Sequence, residues 1–199
     1  MNARRFTMRL GYSLIAALAV VSLWQSRALA QDGHLSHHQT AAPENSARTS
    51  AFVQIVREAT RRFQDPAVAL AENYVPTFGC VTGSSEGAMG VHFVNFPLVF
   101  DNVLDVAHPE ILLYEPLPDN RFRLTGADYL VLSAPWNAAN NGAPPQLMGQ
   151  LFHLFESPNR FGLPEFYTLH AWAWKENPQG TFANWNPSVS CDAYNPLNH

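Results

Sequence analysis

Five segments between Ala88 and Lys175 constrain this chain more than any other feature. They span 88–95, 110–115, 121–133, 147–156 and 165–175. Each is rich in Val, Leu, Phe, Tyr or Trp and is bounded by Gly, Pro, Asn or Asp, the composition of β-strands. The intervals are too short for crossover helices, which disfavours parallel βαβ units. Pro118-Asp119-Asn120 reads as a turn between the second and third segments. Strands in such succession predict a strongly curved antiparallel sheet or a small β-barrel.

Helices precede the sheet. Phe52, Ile55, Val56, Ala59 and Phe63 form one apolar stripe at helical spacing, with Ser50 as its predicted cap. Gln54, Arg57, Glu58, Arg61 and Arg62 take the wet side. Asp65-Pro66 predicts a second, short helix, with Asp as N-cap and Pro at the first helical position. Pro76 ends it. The expected fold class is therefore α+β, with residues 50–199 as one globular domain, helical over 50–75 and β-rich over 79–191. Residues 135–145 read as a loop covering one end of the sheet.

The first thirty residues have the layout of a cleaved secretory signal. Arg4, Arg5 and Arg9 precede an uncharged apolar run, and Ala28-Leu29-Ala30 supplies a small-x-small cleavage site. The run is short of the ~20 residues that span a bilayer, so no stable membrane span is expected after cleavage. Residues 31–49 read as a disordered arm carrying His34, His37 and His38. The expected location is periplasmic or secreted.

Four of the 12 basic residues would leave with the signal, whereas all 16 acidic residues stay, so the remainder is clearly acidic. Its cations include one cluster, Arg57, Arg61 and Arg62, on the solvent face of a helix. That composition argues against a nucleic-acid partner. The two cysteines, Cys80 and Cys191, bracket nearly all of the strand segments, and in an exported chain such a pair most simply forms one disulfide. A two-cysteine metal site or free thiols are the alternatives, and neither cysteine has a C-x-x-C or C-x-x-H neighbour in their support.

Strand alternation places histidines in apolar rows: His92 with Gly90, His153 with Leu151 and Phe155, and His170 with Phe166, Trp172 and Trp174. The third segment places Asp128 among Leu124, Leu130 and Leu132. A carboxylate in such a row must be paired, hydrogen-bonded, metal-bound or neutralised. Histidines from different strands with one or two carboxylates make a divalent-metal site, of Fe or Mn type with two histidines and of Zn or Cu type with three. The candidate ligands are His92, His170, Asp128 or Glu115, and His153. Parity alone does not relate the faces of Asp128 and Glu115, and Asp128 could instead pair with Arg121 or Arg123. Glu110 and Glu115 fall at strand ends, where solvated carboxylates are ordinary. A second reading is a non-catalytic module that binds a small molecule in an aromatic-lined pocket, with Trp136, Trp172 and Trp174 as contacts.

Gly87-Ala88-Met89-Gly90-Val91-His92 resembles the first strand of the cupin barrels, but Val94 stands where a cupin would carry its next histidine. The segments GAMGVHFVN (87–95), HPEILLYEP (108–116) and NPQGTFANWNP (177–187), with Cys191, resemble a family of exported bacterial proteins. That resemblance implies a compartment and assigns no catalytic residue. No nucleophile elbow, P-loop, H-E-x-x-H or dinucleotide fingerprint is present.

Overall fold

A computed structural model describes residues 38–195. The expected signal segment, His34 and His37 lie outside the described residues. Helix α1 (His38–Thr60) continues through a 3-10 turn (Arg61–Gln64) into α2 (Pro66–Ala71). Strands follow: β1 (Val75–Thr82), β2 (Ala88–Val94), β3 (Ile111–Leu117), β4 (Arg121–Leu132), β5 (Gln146–Leu147), β6 (Gln150–Leu151), β7 (His153–Phe155) and β8 (Phe166–Ala171). Two short helices, α3 (Phe96–Asp101) and α4 (Ser133–Ala139), sit between them.

Six strands form one antiparallel sheet in the order β1-β2-β3-β4-β8-β7, strongly curled into a half-barrel. β5 and β6 make a separate small hairpin. Asp119 and Asn120 both take left-handed backbone angles, as a tight hairpin turn requires. No helix among the described residues is long and apolar enough to cross a membrane.

Several boundaries depart from expectation. Helix begins at His38, not at Ser50, so residues 38–49 belong to α1 and not to a disordered arm. Ser50 lies within the helix, and its hydroxyl donates to the Ser46 carbonyl at 2.9 Å instead of capping. Part of the expected 135–145 loop is α4. The single strand expected over 147–156 is broken into three short pieces. β1 is an addition: its Pro, Gly and Cys obscure strand character, and pairing with β2 supplies it. The Asp65 cap is as expected, its side chain accepting from the Ala67 amide at 3.0 Å.

Both faces of the sheet are covered, so its central strands are buried almost throughout. Helices cover one face. Phe52, Val56 and Phe63 pack there on Leu112, Tyr114, Tyr129 and Leu169. The Tyr114 hydroxyl donates to the Phe63 carbonyl at 2.5 Å. Loops and the short helix α3 cover the other face, where Val94, Ile111, Leu113, Leu130 and Phe166 are joined by Val99, Phe155, Phe161 and Leu163. The Cys80–Cys191 disulfide, with a Cα–Cα distance of 5.8 Å, ties β1 to the C-terminal segment. Closing a loop of this length stabilises the fold by about 4–5 kcal/mol in the chain-entropy model.

Two irregularities set which side chains face which way. Gly90 has φ +87°, and a Cβ there would lie 2.4 Å from the Tyr114 carbonyl oxygen, so only glycine fits. The resulting kink puts Met89 and His92 on one cavity, although simple alternation separates them. In β4 the register shifts where Leu113 faces Gly126 and Tyr114 faces Leu124. The shift sends Leu124 to the helix-covered face, away from Asp128.

Candidate metal centre

The pairing register builds the site. Asp128 stands directly opposite Ile111 on one side and His170 on the other. Val94 faces Ile111, so His92, two residues earlier on β2, shares the face of that row. Three strands thus bring His92, Asp128 and His170 together, with one ligand atom of each within 4.8 Å of the other two. The His170 Nδ1 lies 3.6 Å from Asp128 Oδ1. All three side chains are buried.

The electrostatics favour a foreign cation. Burial pushes the His92 imidazole down to about 4 and the His170 imidazole to about 3. Burial raises the Asp128 carboxyl to about 6, opposed by His92 and by a hydrogen bond from the Thr168 hydroxyl. At neutral pH the set is therefore two neutral imidazoles and one carboxylate, the protonation state that metal ligation requires. Neither ring nitrogen of His170 has a hydrogen-bond partner, and His92 Nδ1 has none. Each buried polar atom left unpaired costs about 1–3 kcal/mol. A metal ion would satisfy one of these nitrogens on each ring, the one that carries the lone pair.

The three residues line a cavity of about 20 Å³. That is room for about one water-sized body, since some 10–15 Å³ suffices for one. Thr168 is its fourth polar wall. Phe78, Phe155, Phe161 and Phe166 close it, with Phe161 edge-on to Phe78 and 6.2 Å from the His92 ring. Trp172 stacks against His170 from outside the cavity, at 6.2 Å between ring centroids.

The other candidates lie elsewhere. Glu115 is held by the Lys175 ammonium at 2.7 Å to both oxygens, by the Ser190 amide at 3.1 Å and by Arg123. It completes an ion pair, not the triad, and is not solvated. Glu110 is also buried, accepting from the Leu130 amide at 3.1 Å, and burial raises it to about 9. Asp128 meets neither Arg121 nor Arg123 in a salt bridge; its partners are Thr168 and the histidines. His153 faces Thr168 across β7 and β8 but is exposed at the sheet edge, outside the triad. His38 begins α1.

The three tryptophans do not line the triad's cavity. Their indole N–H groups donate to chain atoms: Trp136 to the Ala143 carbonyl, Trp172 to the Ala183 carbonyl and Trp174 to the Thr60 hydroxyl. β8 ends at Ala171; Trp172 stays on the His170 side of the sheet, stacked on that ring, whereas Trp174 packs on the helix-covered side. Phenylalanine forms the aromatic wall. The sequence reading missed Thr168, although it lies two residues before His170 and shares its face by alternation. It also missed Phe78, because β1 was not recognised as a strand.

Comparisons with known protein families, with curated proteins and with solved structures return no match for this chain.

Proposed function

We propose that this protein holds one divalent metal ion at His92, Asp128 and His170 and acts there on a small molecule outside the cytoplasm. One observation carries the reading: a fully enclosed imidazole, His170, has no hydrogen bond at either nitrogen, yet faces a carboxylate and a second unsatisfied imidazole. A side chain kept only for packing would be bonded or apolar at such a place. Two neutral histidines and one carboxylate suit Fe(II), Mn(II) or Zn(II), with Cu(II) a further candidate. An ion with an open coordination position polarises a substrate oxygen or activates water or dioxygen. Thr168 would fix the Asp128 rotamer, and Trp172 would back the His170 ring, as groups around a metal commonly orient its ligands. The disulfide and the resemblance to exported proteins support the compartment.

The test is metal content. Purified protein carrying His34→Ala, His37→Ala and His38→Ala, which silences the N-terminal histidines, is expected to bind one equivalent of Co(II) or Zn(II). His170→Ala in that background is expected to bind none. Protein that remains metal-free after exposure to Zn, Mn, Fe, Cu and Ni salts overturns the reading. The second reading is binding without turnover. Saturable binding of a small molecule that survives loss of both histidines would favour it.

A further inference from the structure

A cavity of about 20 Å³ admits an ion but no substrate. Next to it lies a larger cleft of about 280 Å³, and every residue lining it is apolar. Phe96, Val99 and Phe100 of α3 form its outer side. Leu132 and Pro164 also line it. Its inner wall is Phe78, Ile111, Leu130 and Leu163, and these same four residues line the triad's cavity. The two spaces are therefore separated by one layer of side chains.

Phe78 is the unusual member of that layer. Its φ is +66°, in the left-handed region that a bulky side chain rarely occupies. It sits in the bulge of β1, between the paired residues Thr77 and Cys80, so the sheet register does not fix it. Its ring meets Phe161 edge-on at 5.3 Å and His92 at 6.5 Å. It is 37 % exposed, so one side of the ring faces outward while the other closes the cavity. Phe100, at 67 % exposure, leaves the mouth of the cleft accessible.

The geometry points to the cleft as the binding site for an uncharged apolar substrate group, which reaches His92, Asp128 and His170 past Phe78 acting as a gate. This inference rests on the metal reading above and names its substrate class. No charged or polar side chain lines the cleft, so a phosphate, carboxylate or sugar would lose its hydration there without compensation. The size fits as well. An apolar cavity of about 150 Å³ takes one benzene ring, so this cleft suits a bicyclic aromatic or a medium hydrocarbon chain.

The probe is 1-fluoronaphthalene, followed by fluorine NMR against the purified protein loaded with Zn(II) or with paramagnetic Co(II). Saturable 1:1 binding is expected, weakened at least tenfold by Phe100→Asp, a change at an exposed site that leaves the core intact. The bound signal should broaden more with Co(II) than with Zn(II). Phe78→Gly, which suits the left-handed backbone, should increase that broadening severalfold while one Co(II) per chain is retained. Absence of saturable binding in protein that holds Co(II) overturns the cleft and spares the metal reading. Binding indifferent to Phe100→Asp overturns its location. Broadening unchanged by Phe78→Gly overturns the gate. Saturable, Phe100-sensitive binding in protein that takes up no Co(II) overturns the metal reading and, with it, delivery to the triad.

Discussion

Asp128 and Glu115 are both buried carboxylates on neighbouring strands of one sheet, yet they have opposite surroundings. Glu115 has its countercharge built in. Lys175, the chain's only lysine, reaches both of its oxygens, and the Ser190 amide adds a hydrogen bond. That cluster joins β3 to the C-terminal segment near the disulfide. Asp128 has no Lys or Arg in salt-bridge contact. It faces imidazoles that burial keeps neutral and a hydroxyl that donates one bond. A buried charge needs a partner in either case. Glu115 has a countercharge supplied by the fold, whereas at Asp128 the fold supplies only neutral partners.

Lys175→Met should destabilise the protein by about 3–5 kcal/mol, because it leaves Glu115 buried without its main partner. Metal stoichiometry should be unchanged. Urea denaturation and elemental analysis check the two halves, and a loss of metal in this variant would mean that the regions are not independent.

The Asp128 end should respond to metal instead. At a free metal concentration one thousandfold above Kd, the protein should gain about 4 kcal/mol through binding to the native state alone. Asp128→Asn and His92→Ala should lose most of that gain. Thermal unfolding with and without a chelator measures it. Equal melting of wild type in both conditions would remove the distinction between the two carboxylates.

Without metal the expected sign reverses. His170→Leu removes two unpaired buried nitrogens and keeps an apolar side chain in their place. The chelated variant should be at least as stable as chelated wild type, and more so by up to about 1–3 kcal/mol. A variant that is markedly less stable would show that His170 is bonded in the native protein after all.

Glu110 is a third buried carboxylate of the sheet region. It is a buried acid with neither a metal site nor a cation, and burial raises it to about 9. The folded state then keeps a proton that the unfolded chain releases near its ordinary value of 4.5. Its stabilising contribution is full below that value and is lost as pH rises toward about 9. The slope is at most about 1.4 kcal/mol per pH unit for one proton. Glu110→Gln should flatten stability against pH in that window, as chemical denaturation at several pH values would reveal. An unchanged slope would place the titration elsewhere.

Much of this was legible in the sequence by itself. Local composition marked four of the six strands of the main sheet in substance, and the Phe52 to Phe63 stripe marked the first helix. The two isolated cysteines marked the disulfide. His92, His170 and Asp128 stood out because polar groups in apolar rows are rare and demand a reason. The tertiary structure decided which carboxylate joins the histidines. That choice depends on strand register, and a shift of one residue turns every side chain to the other face. Register is fixed by hydrogen bonds between residues far apart in the chain, and here it is further changed by the kink at Gly90 and the shift between Leu124 and Gly126. The same long-range pairing gave Glu115 its lysine from 60 residues away. It also placed Phe78, from an edge strand whose Pro and Gly hide its character, in the wall of the triad's cavity. Composition tells which residues must be buried; only the paired and curled sheet determines what each one meets there.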